Sequence, residues 1–240
     1  MTSRLPPHAS RLLALFAALL LGACATTGAS NPRDPWEGMN RGTFEFNEAA
    51  DKAILKPIAQ GYDKVLPQFV KTGVNNFYEN IADIATGLNN VLQGKPADGA
   101  SDLGRVVLNT VFGVAGIFDV ASEAGLEKHS EDFGQTLGVW GVQPGPYFVI
   151  PFLGPSTARD APARVVDPGW LYGYYIDNPT LSWSTWALDQ VRIRANLLKA
   201  EAALEDAALD KYQFIRDLWL QRRRNQVYDG SPPRLKDDED

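Results

Sequence analysis

The stretch from residue 138 to residue 155, GVWGVQPGPYFVIPFLGP, constrains the fold most, because it combines irregular backbone with an almost complete lack of polar side chains. Four glycines and four prolines interrupt regular structure, and Gln143 is the only plainly polar residue. A loop in water is usually polar because water satisfies its backbone groups, whereas a membrane span is regular because lipid cannot satisfy them. The stretch fits neither rule, and we interpret it as irregular backbone at membrane depth, packed against the protein's own helices on one side.

Prolines and glycines make such a segment possible in lipid. Proline has no N–H donor that needs a partner, and glycine lets neighbouring helices approach closely enough to accept the remaining donors. We expect five side chains of this stretch to meet lipid or a protein partner. They are Tyr147, Phe148, Val149, Ile150 and Phe152. The alternative is a connector buried in the core of a soluble domain.

The N-terminal segment has the architecture of a secretory signal peptide. Arg4 and Arg11 form a short basic region, and residues 12–21, LLALFAALLL, form an apolar run of ten. This run is too short for a membrane-spanning helix. We therefore expect residues 1–23 to be removed from the mature protein.

Residues 21–24, LGAC, resemble the bacterial lipobox, in which diacylglycerol is attached to the cysteine before cleavage. The resemblance implies that Cys24 becomes the mature N-terminus and carries a diacylglycerol and an N-acyl chain, with residues 24–33 as a lipidated tether. Ala25 stands where an aspartate would resemble an inner-membrane retention signal, so the analogy points to the outer membrane. The alternative is an ordinary signal peptide with a chance cysteine.

The composition of the processed chain excludes several kinds of function. Removal of Arg4 and Arg11 lowers the formal net charge from −6 to −8, which argues against a nucleic-acid partner. His129 is then the only histidine and the only thiol is acylated, so a zinc site of several Cys and His ligands is excluded. The chain has no nucleophile elbow, P-loop or dinucleotide fingerprint. We expect no enzyme, no metal and no cofactor beyond the acyl groups, and a hydrolase acting through His129 is the minority alternative.

Residues 70–92 carry the clearest periodic signal. Apolar side chains recur every three or four residues, which places them on one face of a helix, and Gly94 follows as a stop signal. The apolar residues are Val70, Val74, Phe77, Ile81, Ile84, Leu88 and Val91. The opposite face is polar but carries few charges, because it is rich in asparagine. Asparagine offers hydrogen bonds without a charge that must be desolvated.

Three further segments give weaker signals. Pro57 and Pro67 predict that the helices of residues 34–67 are short. Residues 106–121, VVLNTVFGVAGIFDVA, are apolar nearly all round but too few to span a bilayer. They predict either a central core helix or a segment that penetrates one leaflet and returns. Residues 182–224 predict helices with charged outer faces.

Seven segments, in order along the chain, resemble the MlaA (VacJ) family of outer-membrane lipoproteins. They are DPWEGMNRGTFEFN (34–47), LKPIAQGYDKVLP (55–67), NNFYENI (75–81), LNNVLQGK (88–95), GRVVLNTVFGVAGIFDVA (104–121), EDFGQTLGVWGVQPGPYFVIPFLGPSTARD (131–160) and DKYQFIRDLWLQRR (210–223).

The resemblance implies an all-α fold, with a single mostly helical, ring-shaped domain over residues 34–229. Such a domain lies in the periplasmic leaflet of the outer membrane around a central amphipathic channel. The asparagine-rich helix face would suit the wet side of that channel, and its candidate residues are Asn75, Asn76, Asn80 and Asp83. Residues 230–240 would form a disordered acidic tail.

The function implied by the family is passive phospholipid transport. Such proteins remove phospholipids misplaced in the outer leaflet and pass them to a periplasmic carrier of the Mla system, which maintains outer-membrane lipid asymmetry. The implied partners are phospholipid, the outer membrane, trimeric porins and that carrier. The alternative is a non-transporting scaffold lipoprotein that organises porins.

Overall fold

The computed structural model describes residues 31–167, 177–207 and 209–234, and for residues 202–207 it describes the backbone alone. Cys24, most of the predicted tether and the end of the predicted acidic tail lie outside these residues, so the predictions for them stay predictions. The described part is mostly helical with one two-stranded antiparallel sheet, which confirms the all-α prediction.

The helices are α1 (Glu37–Ala50), α2 (Lys56–Val65), α3 (Gln68–Leu92), α4 (Pro96–Val111), α5 (Val120–Glu123), α6 (Phe133–Val139), α7 (Asp160–Ala163), α8 (Pro179–Ala207) and α9 (Lys211–Val227). The strands are β1 (Tyr147–Ile150) and β2 (Gly154–Thr157).

Helices α1 and α2 continue into each other through a π-helical turn, Asp51–Leu55. The Lys56 N–H donates to the Asp51 carbonyl five residues earlier, and Pro57 follows as the second residue of α2. A proline inside an α-helix removes a hydrogen bond and crowds the preceding turn, and the wider π turn lets the helix continue. The prediction that Pro57 shortens the helix is therefore wrong, whereas Pro67 does separate α2 from α3.

The polar face of α3 packs against α4, so the interface between these two helices is polar. Within it, Asn90 donates to the Asp102 carboxylate over 2.8 Å. Glycine permits the close approach, since a Cβ on Gly99 would lie 2.8 Å from the Gly87 carbonyl oxygen. Among the described residues, the buried apolar side chains are Ala, Val and Tyr, and none is Leu, Ile, Phe or Trp.

Residues 106–121 do not form a central core helix, so that interpretation is wrong. Helix α4 ends at Val111, and the chain then turns back through left-handed backbone at Val114, where φ is 53°. Phe112 and Phe118 are 67% and 60% exposed. The segment returns along the surface, and its penetration of one leaflet stays a prediction.

Residues 147–157 form a β-hairpin in which β1 pairs antiparallel with β2. Successive side chains of a strand point to opposite faces, and Tyr147 and Val149 point into a hydrophobic core shared with Tyr212. The two side chains are 0% and 4% exposed. They cannot contact lipid or a protein partner in this position, so the prediction is corrected for Tyr147 and Val149.

The opening segment of the fold holds this hairpin against α9. The Asn40 side chain accepts a hydrogen bond from the Val149 N–H (2.9 Å) and donates to the Tyr147 carbonyl (3.2 Å). The Asp34 carboxylate accepts from the Asn40 side chain and from the Tyr212 hydroxyl at 2.7 Å and 2.6 Å. Buried polar groups with this many partners fix one orientation of the hairpin.

Candidate functional site

A cavity of about 1990 Å³ lies beside α3. Its walls also include the loop after α4, helix α5, the start of α6 and the first turns of α8. Pockets for drug-sized ligands are commonly about 300–1,000 Å³. The cavity is therefore large enough for a molecule bigger than an ordinary metabolite.

Apolar side chains form most of the cavity wall. Six of the seven residues of the predicted α3 stripe line it, and they are Val70, Val74, Phe77, Ile81, Ile84 and Leu88. The facing apolar residues are Ile117, Phe118, Val120, Phe133, Val166, Leu181 and Leu188. The predicted stripe is thus confirmed as one helix face, and this face borders a cavity.

A minority of polar side chains interrupts the apolar wall. They are Gln68, Thr72, Asn76, Tyr78, Asn89, Asp119, Glu123, Asp167, Ser184 and Thr185. Among the wall residues in the described part of the chain there is no lysine and no arginine. The lining of the cavity is amphipathic, because a mainly apolar surface carries some hydrogen-bonding groups and carboxylates.

A buried ion cluster fixes the loop that forms one side of the cavity. Arg105 is 1% exposed and donates to both oxygens of the Asp119 carboxylate over 2.9 Å. Desolvation opposes ionisation of Asp119, but hydrogen bonds from Ser122, Asn109 and Arg105 outweigh it and lower its pKa to about 2. Asp119 is therefore ionised, and its charge is matched by a guanidinium behind the wall.

Asp167 also lines the cavity, beside Phe133 at the start of α6. Desolvation by burial is the main cause that raises its pKa to about 6, and the negative charge of Asp132 adds to the effect. The Phe133 N–H donates to its carboxylate over 2.9 Å. The carboxyl of Asp167 therefore ionises less readily than an ordinary aspartate.

A sequence model described as MlaA lipoprotein matches residues 32–226. The chain belongs to the MlaA lipoprotein family. The matched range runs from before α1 to the last turn of α9, so it contains every described wall residue of the cavity.

Two MlaA relatives are similar to this chain over most of their length, and both are named intermembrane phospholipid transport system lipoprotein MlaA. The protein of Escherichia coli (strain K12) is 36% identical over 223 residues, which cover 88% of this chain and 85% of that protein. The protein of Haemophilus influenzae is 30% identical over 232 residues, which cover 91% of this chain and 90% of that protein.

A solved structure described as "Structural basis for maintenance of bacterial outer membrane lipid asymmetry" has a similar fold, with a TM-score of 0.71. Its sequence is 32% identical to this chain, and the match covers 81% of this chain and 98% of that one.

Most residues of the predicted channel face are used for contacts with other parts of the fold. Asn76 lines the cavity and donates to the Ile117 carbonyl over 3.0 Å. The other three predicted residues are not among the cavity wall residues. Asn75 accepts from Arg192 and Asn196, Asn80 donates to Thr110, and Asp83 accepts from Arg105 and Lys128.

Three of the five predicted lipid or partner contacts remain available at the surface of the hairpin. Phe152 is 70% exposed, and its ring meets the ring of Phe46 edge to face at 5.1 Å. Phe148 and Ile150 are half-buried. Alternation along β1, which buries Tyr147 and Val149, turns Phe148 and Ile150 to the other face, whereas Phe152 lies in the turn between the strands.

His129 lies away from the cavity, on the loop before α6. Its Nδ1 is 3.2 Å from the buried Asp102 carboxylate, and its Nε2 is 3.9 Å from Asp98. Among the described hydrogen bonds, none joins this ring to a serine hydroxyl. Within the described residues, no group of three or more His, Cys, Asp or Glu side chains is placed to hold a metal ion.

Large apolar side chains are exposed around the helices that carry the cavity. The most exposed include Val65, Phe69, Val107, Val111, Phe112, Val114, Phe118 and Trp183. So many large exposed apolar side chains are more than a protein surrounded by water usually shows, and they suit contact with a membrane or another protein. In the described residues, no helix is both long enough and apolar enough to cross a membrane.

Proposed function

We propose that this MlaA family member is an outer-membrane lipoprotein that removes mislocalised phospholipids from the outer leaflet and passes them to a soluble periplasmic carrier. On this proposal the chain is a ring-shaped body anchored in the periplasmic leaflet by acyl groups on Cys24, and the large cavity is its lipid passage. The relatives are named for a phospholipid transport system, which supports the choice of substrate.

The observation that carries the proposal is the apolar lining of the cavity. Exposure of two acyl chains of about sixteen carbons to water would cost roughly 25 kcal/mol of free energy, at ~0.8 kcal/mol per methylene. The free energy of unfolding of a folded domain is only ~5–15 kcal/mol, which is too small to compensate for that cost. The tails must therefore stay covered during transfer, and the α3 stripe with its facing side chains offers such cover.

The polar side chains of the wall can form hydrogen bonds with the headgroup along the same route. Asn76, Thr185 and Glu123 are examples on three different elements of the wall. Passage of this kind needs no catalytic residue, because no covalent bond of the lipid changes. Lipid would move down its own gradient, and ATP would be consumed elsewhere in the pathway.

The exposed tip of the hairpin supports the second part of the proposal, which is contact with a trimeric porin. Phe152 projects into solvent from a backbone that is fixed, since its N–H donates to the Asn47 side chain over 2.7 Å. A rigidly held aromatic side chain is a good anchor in an interface, because little freedom is lost on binding.

Site-specific photocrosslinking in cells tests the lipid passage. A photoreactive amino acid at Ile84 faces the cavity, whereas one at Gln213 lies on an exposed part of α9 away from it. We expect phospholipid to be captured at Ile84 and not at Gln213. Capture of protein alone at Ile84 would leave only the scaffold function.

A further inference from the structure

A second, smaller cavity of about 250 Å³ lies directly against the large one. Asp167 lines both cavities. Phe133 faces the large cavity and donates its N–H to Asp167, while the preceding residue, Asp132, lines the small cavity. The apolar space and the polar one thus meet at Asp167 and at the start of α6.

The small cavity holds guanidinium groups whose donors are not all used. Arg223 donates to Asp132 and to Asp160, yet its buried Nε has no acceptor among the described residues. Arg222, also in the wall, is exposed and makes no hydrogen bond or ion pair with a described residue. Buried donors in native proteins almost always have a partner, so the unused Nε points to a ligand or water in this cavity.

Arg164 adds a third positive charge to the wall. Its guanidinium donates to the carbonyls of Leu153 and Pro155 (3.2 and 2.7 Å) and not to a carboxylate. Burial, together with the nearby charge of Arg223, lowers the pKa of Arg164. The three aspartates of the wall balance its three arginines in number, but Arg222 and the Nε of Arg223 have no carboxylate partner among the described residues. These donors remain for an anionic group, and guanidinium is the side chain best suited to bind phosphate.

We propose that the small cavity holds the phosphodiester of the phospholipid headgroup while the acyl chains occupy the large cavity. The inference rests on the proposed function, and it adds the place and the residues of headgroup binding. The described wall of the large cavity carries no lysine or arginine, whereas the adjoining small cavity offers three arginines to the phosphate. The carboxylate of Asp167, where the two cavities meet, suits a headgroup that also carries an ammonium.

The test compares two lipids with the same acyl chains, pyrene-labelled phosphatidylethanolamine and pyrene-labelled diacylglycerol. Each is titrated into the full chain in detergent micelles and into two variants. We expect Arg222→Gln to bind the phosphatidylethanolamine about tenfold more weakly, the loss of one charge-assisted hydrogen bond, and to bind the diacylglycerol as before. Arg224→Gln, altered two residues further along the same helix and outside the cavity wall, should change neither affinity.

Each other outcome is informative. Equal affinities of Arg222→Gln and the unaltered chain for phosphatidylethanolamine would refute the headgroup site and leave the proposed function intact. Equal weakening of both lipids would also refute it, because the arginine would then support the fold. Binding of neither lipid by the unaltered chain would refute the proposed function itself.

Inorganic phosphate serves as a separate arm, because free phosphate and a lipid phosphodiester share the same recognition chemistry. Phosphate added alone should not bind, since the acyl chains supply most of the affinity. Tight binding of inorganic phosphate that Arg222→Gln abolishes would assign the small cavity to the free anion and overturn the headgroup assignment.

Discussion

Nη2 of Arg105 lies 2.9 Å from each carboxylate oxygen of Asp119, and this contact joins a fully buried helix position to the loop that borders the cavity. The same guanidinium donates to the Leu126 carbonyl over 2.8 Å, so one side chain holds both ends of α5. The ion pair between Arg105 and Asp119 therefore holds the exposed apolar turn around Phe118 in place.

We expect Arg105→Met to destabilise the protein by about 3–5 kcal/mol, because it leaves the Asp83 and Asp119 carboxylates without their buried partner. Denaturant unfolding in a fixed detergent measures the effect. Lys52→Met is the control, since it removes an ion pair with Glu48 in which the lysine is 60% exposed. That change should cost below about 1 kcal/mol, and a similar small loss for Arg105→Met would contradict the anchoring role.

The stability of the protein should depend on pH through Asp167, whose pKa is raised to about 6 mainly by desolvation. In the unfolded chain the pKa of this carboxyl is ~3.9. Between this pH and about 6, the folded state therefore binds one proton more than the unfolded state. The stabilisation is complete below about pH 4 and is lost as the pH rises through about 6. Because Asp167 is half-buried, we expect a change of about 1–2 kcal/mol.

Asp167→Asn isolates this contribution, because the amide oxygen can still accept from the Phe133 N–H. The free energy of unfolding of the unaltered protein, minus that of the variant, should decrease as the pH is raised from 4 to 6.5. A difference that stays constant over this range would show that Asp167 titrates normally.

The close approach of α3 and α4 makes Gly99 sensitive to a single methyl group. A Cβ there would lie 2.6 Å from Cγ2 of Val91 and 2.8 Å from the Gly87 carbonyl oxygen. Since backbone cannot move aside easily, Gly99→Ala should cost about 1–3 kcal/mol. Gly61→Ala in α2 has open space around its Cβ and should instead stabilise by up to ~1 kcal/mol. Thermal unfolding of both variants distinguishes the two expectations.

The sequence predicted the helical faces of residues 70–92 well, but not the direction in which each face points. Periodicity identifies an apolar and a polar side, and in water the apolar side would be buried. Here Asn80 and Asp83 are buried against α4, whereas Leu88 is 53% exposed beside the cavity. The pattern does not tell whether an apolar face is covered by the protein's own core or borders a cavity, so the orientation could not be derived from it alone.

The hairpin is a second feature that could not be predicted from the sequence. The glycines and prolines of residues 138–155 predicted irregular chain, but the range includes the end of α6 and most of the hairpin, whose strand YFVI alternates between faces. Its register depends on Asn40, more than a hundred residues earlier, which bonds the backbone of Tyr147 and Val149. Local signals do not reveal such a distant partner.

A charge inside the large cavity should block lipid passage without unfolding the protein. Ile84 lines the cavity and is 40% exposed, so Ile84→Glu places a carboxylate where acyl chains would lie. We expect phospholipid to accumulate in the outer leaflet of a deletion strain that carries this variant. Ala82→Glu, an exposed position of the same helix outside the cavity, should restore normal asymmetry. Equal complementation by both variants would argue against the cavity as the passage.

The hairpin allows folding and partner contact to be separated at two nearby residues. Val149→Lys would bury an ammonium at a position that is 4% exposed, so we expect loss of folding by more than about 3 kcal/mol. Phe152→Glu changes a side chain that is 70% exposed, and its N–H bond to Asn47 is kept, so the fold should survive. Co-purification with a trimeric porin should then fall for Phe152→Glu although its unfolding transition is unchanged. Undiminished porin recovery with this variant would place the porin contact elsewhere, because a carboxylate in the centre of an aromatic anchor cannot be accommodated without loss.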